Sequence, residues 1–307
     1  MDASIKVNTS VSVSVVMLIW ISFLISCDPE CCNTPTNYIV NGPQDLYPAF
    51  SPSGGFIAYY HDEWDTPDPP GYPSGLYIIN NDGSNRRLVL LGDHYSPSWS
   101  PDGNWLVFSS GGVIQKCKIN GDSITRFSEL DTLEYPEFYF PDWTTGGKYI
   151  LFDKPLNPEW GFYYMTSNFQ NAKRIFGLEI LGRNPELSPN EKYLIYEAGK
   201  GGGNNVEVSE IFLNDTLGAN KIQLTQNNRD NRGPTWSHDG QKIVWSSSLR
   251  ICIMNADGTN QHQIAYGNDP SWSANNKIVF SHANTNYTKE LLYSIDPDGN
   301  NKRQITF

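Results

Sequence analysis

The chain has 307 residues, of which 13% are aromatic and 18% are charged, and it contains 26 glycines and 20 prolines. This aromatic content excludes a disordered chain, and so many turn-forming residues exclude a helical bundle. The net charge of -11 argues against a nucleic-acid-binding protein, which needs a basic surface, and against a basic patch for anionic lipids.

Residues 1–26 are predicted to be a signal peptide. A nearly apolar run at 11–25 follows Lys6, and it is too short to span a membrane but typical of a signal-peptide core. The run ends in Leu24-Ile25-Ser26-Cys27, which resembles the lipobox of bacterial lipoproteins. The resemblance implies that Cys27 carries lipid and that residues 27–36 tether the protein to the bacterial outer membrane, on its periplasmic or outer side. The alternative is an ordinary signal peptide or an uncleaved anchor in which Cys27 is incidental.

From residue 45 onward, one sequence unit is repeated six times. Its first half is a proline, an aromatic or leucine two residues later, a tight turn and an apolar strand, and the six copies begin at Pro48, Pro97, Pro141, Pro185, Pro234 and Pro270. Its second half is an apolar strand followed by an Asp-Gly turn, clearest at 76–83, 251–258 and 292–299. Asp-Gly between two β-type runs is a strong hairpin signal. Each unit therefore predicts four antiparallel strands, which we name a to d in chain order.

Four strands repeated every 36 to 49 residues predict an all-β protein, a six-bladed β-propeller. The repeated halves also resemble the TolB-type, WD-like propeller repeat, and the resemblance covers residues 45–307. We expect the propeller to occupy residues 37–307. TolB proteins carry an α/β domain ahead of their propeller, and only about ten residues here separate Cys27 from the first β-type run. The resemblance is therefore to the propeller alone.

The six units predict how the ring closes and where two cysteines lie. Each unit has its own d strand, the last at 302–306, so an N-terminal strand is not needed to complete the last blade. Residues 38–40 are expected to add to an edge of that blade or to pack beneath it. Cys117 and Cys252 fall in strands c of blades two and five, across the ring, so we expect both to be buried, unpaired and equivalent to Tyr77 and Tyr293.

Strand connectivity predicts which face of the ring binds a ligand. The a–b and c–d turns are short and uniform and lie on one face, whereas the b–c loops and the connections to the next strand a lie on the other face and vary in length. Function collects on irregular loops held by a rigid scaffold. The candidate binding residues on this variable face are Asp93, His94, Arg183, Asp230, Arg232 and Asp269 at the channel rim, and Trp64 and Trp160 in long b–c loops. The alternative is that these are solvated loop residues and that the tryptophans cover their own loops.

A rim of mixed charge with exposed aromatic residues favours a binding or interaction module for an envelope protein or a glycan. The protein is expected to contact the membrane only through its lipid anchor, and no bound nucleic acid, cofactor or metal is expected. No metalloprotease, Walker or paired-carboxylate motif is present, and the five histidines are scattered. The alternative is a metal-assisted polysaccharide lyase or another glycan-active enzyme. Convergence of Asp93, His94, Asp230 and Asp269 would favour that alternative.

Overall fold

The computed structural model describes residues 40, 42–63, 72–127, 139–154, 161–175, 182–199, 208–216 and 220–307. These residues form 24 strands in six groups of four, one group for each sequence unit. Blades one to three contain β1 (Gln44–Phe50), β2 (Phe56–Asp62), β3 (Gly75–Asn80), β4 (Arg87–Leu91); β5 (Tyr95–Trp99), β6 (Trp105–Ser110), β7 (Val113–Lys118), β8 (Thr125–Arg126); β9 (Tyr139–Trp143), β10 (Tyr149–Lys154), β11 (Gly161–Thr166), β12 (Lys173–Arg174). Blades four to six contain β13 (Gly182–Leu187), β14 (Tyr193–Gly199), β15 (Ser209–Asp215), β16 (Ile222–Gln223); β17 (Asn231–Trp236), β18 (Lys242–Ser247), β19 (Arg250–Asn255), β20 (His262–Tyr266); β21 (Asn268–Trp272), β22 (Ile278–Ala283), β23 (Glu290–Ile295), β24 (Arg303–Gln304).

Every blade is an antiparallel sheet in the order a-b-c-d. Blades two to five are separate four-stranded sheets, and blades six and one join into one eight-stranded sheet through a single parallel pair, Gln44 with Glu290. Strand d of blade six is β24, which pairs with β23 of the same blade. The predicted all-β propeller of four-stranded blades is therefore confirmed. Within the described residues no helix is long and apolar enough to cross a membrane.

The core lies between neighbouring blades and is built from strands b and c. The fourth residue of strand b in each repeat, counted in blade six from Lys277 directly before β22, is aromatic and almost fully buried: Tyr59, Phe108, Phe152, Tyr196, Trp245 and Phe280. Burial of each of these aromatic side chains stabilises the fold by roughly 2 kcal/mol or more. Because these six side chains recur at one repeat position, all six blades stack in the same way. This stacking holds the six strands a around a central channel.

Cys117 and Cys252 are both unpaired and buried, as expected. Cys252 pairs across the sheet with Trp245, the same position at which Tyr77 pairs with Tyr59. The expected equivalence of Cys117 is wrong, because Cys117 pairs with Leu106, two residues closer to the c–d turn. Gln115 occupies the position of Tyr77 in blade two, so an interior polar residue concealed the true register.

The described residues directly before β1 pack against blade six. The Glu290 N–H donates to the Pro43 carbonyl at 3.0 Å, and Val40 is buried. A Cβ on Gly42 would lie 2.0 Å from the Thr288 carbonyl oxygen, so the chain passes in direct contact with the b–c loop of that blade. Residues 38 and 39 lie outside the described residues, and the expected course of residues 38–40 therefore stays a prediction at those two positions.

Candidate functional site

A left-handed residue precedes the proline of every strand a. Each a–b pair has a register shift at this point, and the six residues have φ between 49° and 55°: Tyr47, Ser96, Phe140, Asn184, Gly233 and Asp269. The proline lacks an N–H, so an inner strand accepts it at a bulge. A non-glycine residue in this conformation costs on the order of 1–3 kcal/mol. All six residues line the channel, so the strain lies where the ring surrounds its central opening.

The bulge turns backbone N–H groups towards the neighbouring blade, where strand b supplies their acceptors. The Gly233 N–H donates to Glu197 Oε2 at 2.7 Å, and the Asp269 N–H donates to Ser246 Oγ at 3.1 Å. Glu197 and Ser246 are both the fifth residue of their repeat's strand b. This position therefore places a polar side chain beside the channel, and we call this end of the channel, where strands a begin, the mouth.

Four of the predicted rim residues come together at the mouth around Glu197. Arg183, Arg232 and Asp269 are the second residues of β13, β17 and β21, and Asp230 directly precedes β17. Arg232 Nε lies 2.8 Å from Asp230 Oδ2. Although burial opposes it, the hydrogen bond to Asp230 and the charges of Asp230, Glu197 and Asp269 raise the pKa of Arg232.

The carboxylates of this group are held in an environment that disfavours their charge. Burial raises the pKa of Glu197 to about 7, with the charge of Asp230 adding to the rise and the Gly233 N–H and both arginines opposing it. Burial likewise raises the pKa of Asp269 to about 7, helped by the charges of Glu290 and Glu197 and opposed by the Tyr47 N–H and Arg232. Near neutral pH these groups exchange protons readily and gain from any added cation.

Tyrosine rings form the opposite side of the mouth, on blades one and two. The Tyr60 and Tyr95 ring centroids lie 4.7 Å apart, and the Tyr47 and Tyr95 centroids lie 6.3 Å apart. Tyr95 is 37% exposed. Since the Tyr47 N–H bonds to Asp269, the tyrosine side and the charged side of the mouth meet at these two residues.

Asp93, also a predicted rim residue, lies on the tyrosine side of the mouth, whereas His94 has a partner three residues away. The Tyr60 hydroxyl donates to Asp93 Oδ1 at 2.8 Å. His94 Nε2 lies 3.1 Å from the Leu91 carbonyl oxygen, and its ring packs against Phe108 at 5.0 Å. Burial lowers the pKa of His94. Among the described residues, no group of three or more His, Cys, Asp or Glu side chains is arranged to hold a metal ion.

Below the mouth the channel holds a cavity of about 320 Å³ lined by all six strands a. Nine prolines stiffen its wall, and of the predicted rim residues only Asp269 reaches it. Asp142 and Glu186, on blades three and four, also line it. Asp142 Oδ1 accepts a hydrogen bond from Ser98 Oγ at 3.0 Å, and Glu186 Oε1 accepts one from the Trp236 N–H at 3.0 Å. Burial raises the pKa of both groups, and the charge of Asp142 raises that of Glu186 further.

Sequence reasoning missed Glu197, Asp142 and Glu186. The signal for Glu197 was present, because the fifth position of strand b carries a hydroxyl or carboxylate in every repeat. Trp64, Trp160 and Cys27, the remaining predicted site residues, lie outside the described residues. Their roles stay predictions.

No family model matches the chain. An uncharacterized protein of Agrobacterium fabrum is 27% identical over 200 residues, which are 60% of this chain and 64% of that protein. This chain therefore spans less than two thirds of that relative.

Solved structures give the fold. TolB from Acinetobacter baumannii superposes with a TM-score of 0.66 at 21% identity, over 82% of this chain and 63% of that chain. A putative TolB from Agrobacterium tumefaciens gives 0.62 at 20% identity, over 72% of this chain and 84% of that chain. An oligogalacturonate lyase from Vibrio parahaemolyticus gives 0.52 at 11% identity, over 89% of this chain and 80% of that chain. These identities establish fold rather than activity: the chain folds as a TolB-like β-propeller.

Proposed function

We propose that this protein is an interaction module of the bacterial cell envelope whose mouth binds a protein or glycan partner. The observation that supports the proposal most is the composition of the mouth. Two exposed arginines and several partly compensated carboxylates face a group of tyrosines, all held by strands that rigid blades support. Aromatic side chains on a preformed surface are anchors of the kind that carries most binding energy in known interfaces, and charged groups beside them add specificity.

The scaffold also supports binding. The nine channel prolines and the repeated bulges fix strands a before any partner arrives, so binding here loses little backbone entropy. The predicted loop anchors Trp64 and Trp160 extend the same face in this proposal, because they belong to the b–c loops of blades one and three.

Site-specific photo-crosslinking in intact cells tests the proposal. A photoreactive residue replacing Arg183, which is exposed at the mouth, should capture a partner, and the same residue replacing Asn104, exposed in an a–b turn, should not. The adduct at 183 should also disappear when Trp64 and Trp160 are both changed to alanine. Adducts formed only at residue 104 would place the binding surface on the turn face, which carries the a–b and c–d turns, and would contradict the proposal.

The location in the envelope is part of the same proposal. The sequence Leu24-Ile25-Ser26-Cys27 supports lipidation of Cys27, which anchors the propeller in the outer membrane through a tether at 27–36. A single tether leaves the mouth free to meet either a membrane-bound or a soluble partner.

A glycan-active enzyme is the second candidate, and one observation favours it. His61 Nδ1 lies 2.7 Å from Asp45 Oδ1, and His61 Nε2 has no hydrogen-bond partner in the described part of the chain. A carboxylate that orients a histidine in this way can prepare it as a general base. His61 is only 2% exposed, however, so a bound substrate would not reach it, and binding is the better-supported function. If binding is the function, incubation with oligogalacturonate and Mn²⁺ should yield no unsaturated product. Unsaturated product formed by the parent chain but not by His61→Gln would favour the enzyme.

A further inference from the structure

Among the described residues, the mouth contains more negative than positive groups. Asp153, Glu197, Asp230, Asp269 and Glu290 stand on blades three to six, and the arginines among them are Arg183 and Arg232. Arg232 forms its ion pair with Asp230, and its side chain is 64% exposed. Within the described residues neither Glu197 nor Asp269 forms an ion pair. Two carboxylates at the mouth therefore have a positive charge nearby but no cation in contact.

Asp153 gives a second and independent sign of a missing partner. It is the fifth residue of its repeat's strand b in blade three, equivalent to Glu197 in blade four, and its side chain is fully buried. Neither carboxylate oxygen has a hydrogen bond of normal geometry to a described residue, although the N–H groups of Asp153 and Tyr139 are near enough to oppose the rise of its pKa. A buried carboxyl group without a donor is costly, and proteins keep such groups where something else completes the site.

The tyrosine side of the mouth suits the same kind of partner group. A guanidinium or ammonium group is attracted to the face of a tyrosine ring. Tyr47 meets Asp269 where the charged and aromatic sides join, and Tyr95 beside it is exposed. Below them, the cavity of about 320 Å³ is lined by 32 residues that include Asp142, Glu186 and Asp269 but no lysine or arginine. The path from the mouth into the channel is therefore acidic and aromatic, and it has room for a side chain.

We propose that the mouth receives an arginine side chain from an extended segment of a protein partner, with Asp269 and Glu197 as its carboxylate acceptors and Tyr47 and Tyr95 as its aromatic contacts. The inference rests on the proposed binding function of the mouth and names the chemistry that is recognised there. Arginine fits better than lysine, because its planar group can stack on a tyrosine and bond to two carboxylates at once. Arg232 is the cation of this chain that acts on both Asp269 and Glu197, so it competes with the partner's arginine for these carboxylates.

The test compares arginine with citrulline, its neutral isostere. Two peptides, acetyl-Gly-Arg-Gly-Arg-Gly-Tyr-amide and the same sequence with citrulline at both arginines, are titrated at pH 8 into the full-length chain in detergent. The arginine peptide should bind at least about tenfold more tightly. Asp269→Asn and Glu197→Gln should each remove most of this difference, whereas Arg232→Ala should strengthen binding because a competing cation is lost.

Asp298→Asn is the matched control, because it makes the same charge change in an exposed c–d turn. Asparagine also tolerates the left-handed backbone of residue 269, so Asp269→Asn should remain folded. Equal binding of the citrulline peptide, or an equal loss of binding in Asp298→Asn, would overturn the inference. If crosslinking at Arg183 still finds a partner in that case, the proposed function stands without it. If arginine is preferred but crosslinks form only at Asn104, the proposed function fails instead.

Discussion

Replacing Asp269 by asparagine should stabilise the protein, and the gain should depend on pH. The change removes the charge of a group whose pKa in the folded protein is raised from 3.8 to about 7, mainly by burial. Asparagine keeps an oxygen that can accept the Tyr47 N–H, and it tolerates the φ of 49° at this position. The substitution therefore removes a costly charge without removing the contacts around it.

The sign follows from proton binding. Between pH 4 and 7 the carboxyl group is largely protonated in the folded chain and ionised in the unfolded chain, so the folded state binds more protons and stability falls as pH rises. A difference of one in pKa corresponds to about 1.4 kcal/mol, so the rise from 3.8 to about 7 corresponds to roughly 4 kcal/mol. Water at the mouth screens the charge, so we expect a gain of about 2–3 kcal/mol above pH 7. The gain should approach zero near pH 4.

Urea unfolding of the parent chain and the variant at pH 4.5, 6, 7 and 8 measures this difference directly. Carboxyl groups that do not interact with residue 269 contribute equally to both proteins and cancel on subtraction, so the difference reports residue 269 together with its coupling to Glu197 and Glu290. Asp298→Asn, in an exposed turn, should show no such rise with pH. A gain that is constant from pH 4.5 to 8, or a loss of stability at pH 8, would refute the assignment of a buried and unpaired charge. A gain in stability together with weaker arginine binding would also separate function from folding.

Two predictions concern residues outside the described part of the chain. Cys27→Ala should abolish incorporation of labelled fatty acid and release the protein from membranes, and normal processing with retained membrane association would contradict the lipobox interpretation. Trp64→Ala combined with Trp160→Ala should weaken partner binding by about 2 kcal/mol or more, roughly thirtyfold, at unchanged melting temperature. Asn81→Ala, in the c–d turn of blade one, should leave that binding intact, and the opposite pattern would favour the turn face.

The repeat made the fold predictable, because each level of the sequence indicated the same structure. Prolines, short polar a–b turns and c–d turns of the Asp-Gly type recur at fixed places, and a four-stranded unit is the structure that satisfies all of them. The bulge before each proline could also have been predicted, since an inner strand accepts proline at a bulge. The register of Cys117 was not predictable, because Gln115 interrupts the apolar pattern on which strand c was aligned.

The candidate site was only partly predictable. Arg183, Asp230, Arg232 and Asp269 were found because they stand directly before or within the start of strand a, and ring geometry brings that position to the mouth. Asp93 holds the same place in sequence, yet it lies on the tyrosine side of the mouth, where the Tyr60 hydroxyl donates to it. Glu197 was missed because it follows four apolar or aromatic residues near the end of β14, where a single carboxylate is read as exposed. Aligning the fifth position of strand b across the repeats would have found it, whereas the contacts of Asp93 across blades are not contained in one sequence.

Among the described residues, blade six has four strands of its own, and this leads to a final prediction about how the ring closes. In the four blades whose described c–d turn contains a glycine, that glycine packs against strand d of the preceding blade or the residue directly after it. A Cβ on Gly121 would lie 2.5 Å from the Val89 carbonyl oxygen, between blades one and two, and a Cβ on Gly83 would lie 2.6 Å from the Ile305 carbonyl oxygen, between blades six and one. The contact at the closure thus repeats the contact inside the ring.

If closure depends on this shared contact, Gly83→Ala and Gly121→Ala should destabilise the protein equally, by about 1–3 kcal/mol. Both glycines have φ near 85°, so backbone strain is the same at the two sites. Gly103→Ala, at φ 70° with no atom near the added Cβ, measures the strain alone and should cost less. A much smaller effect at Gly83 than at Gly121 in urea unfolding would mean that the closure opens before the rest of the ring. The single pair between Gln44 and Glu290 would then be its weakest point.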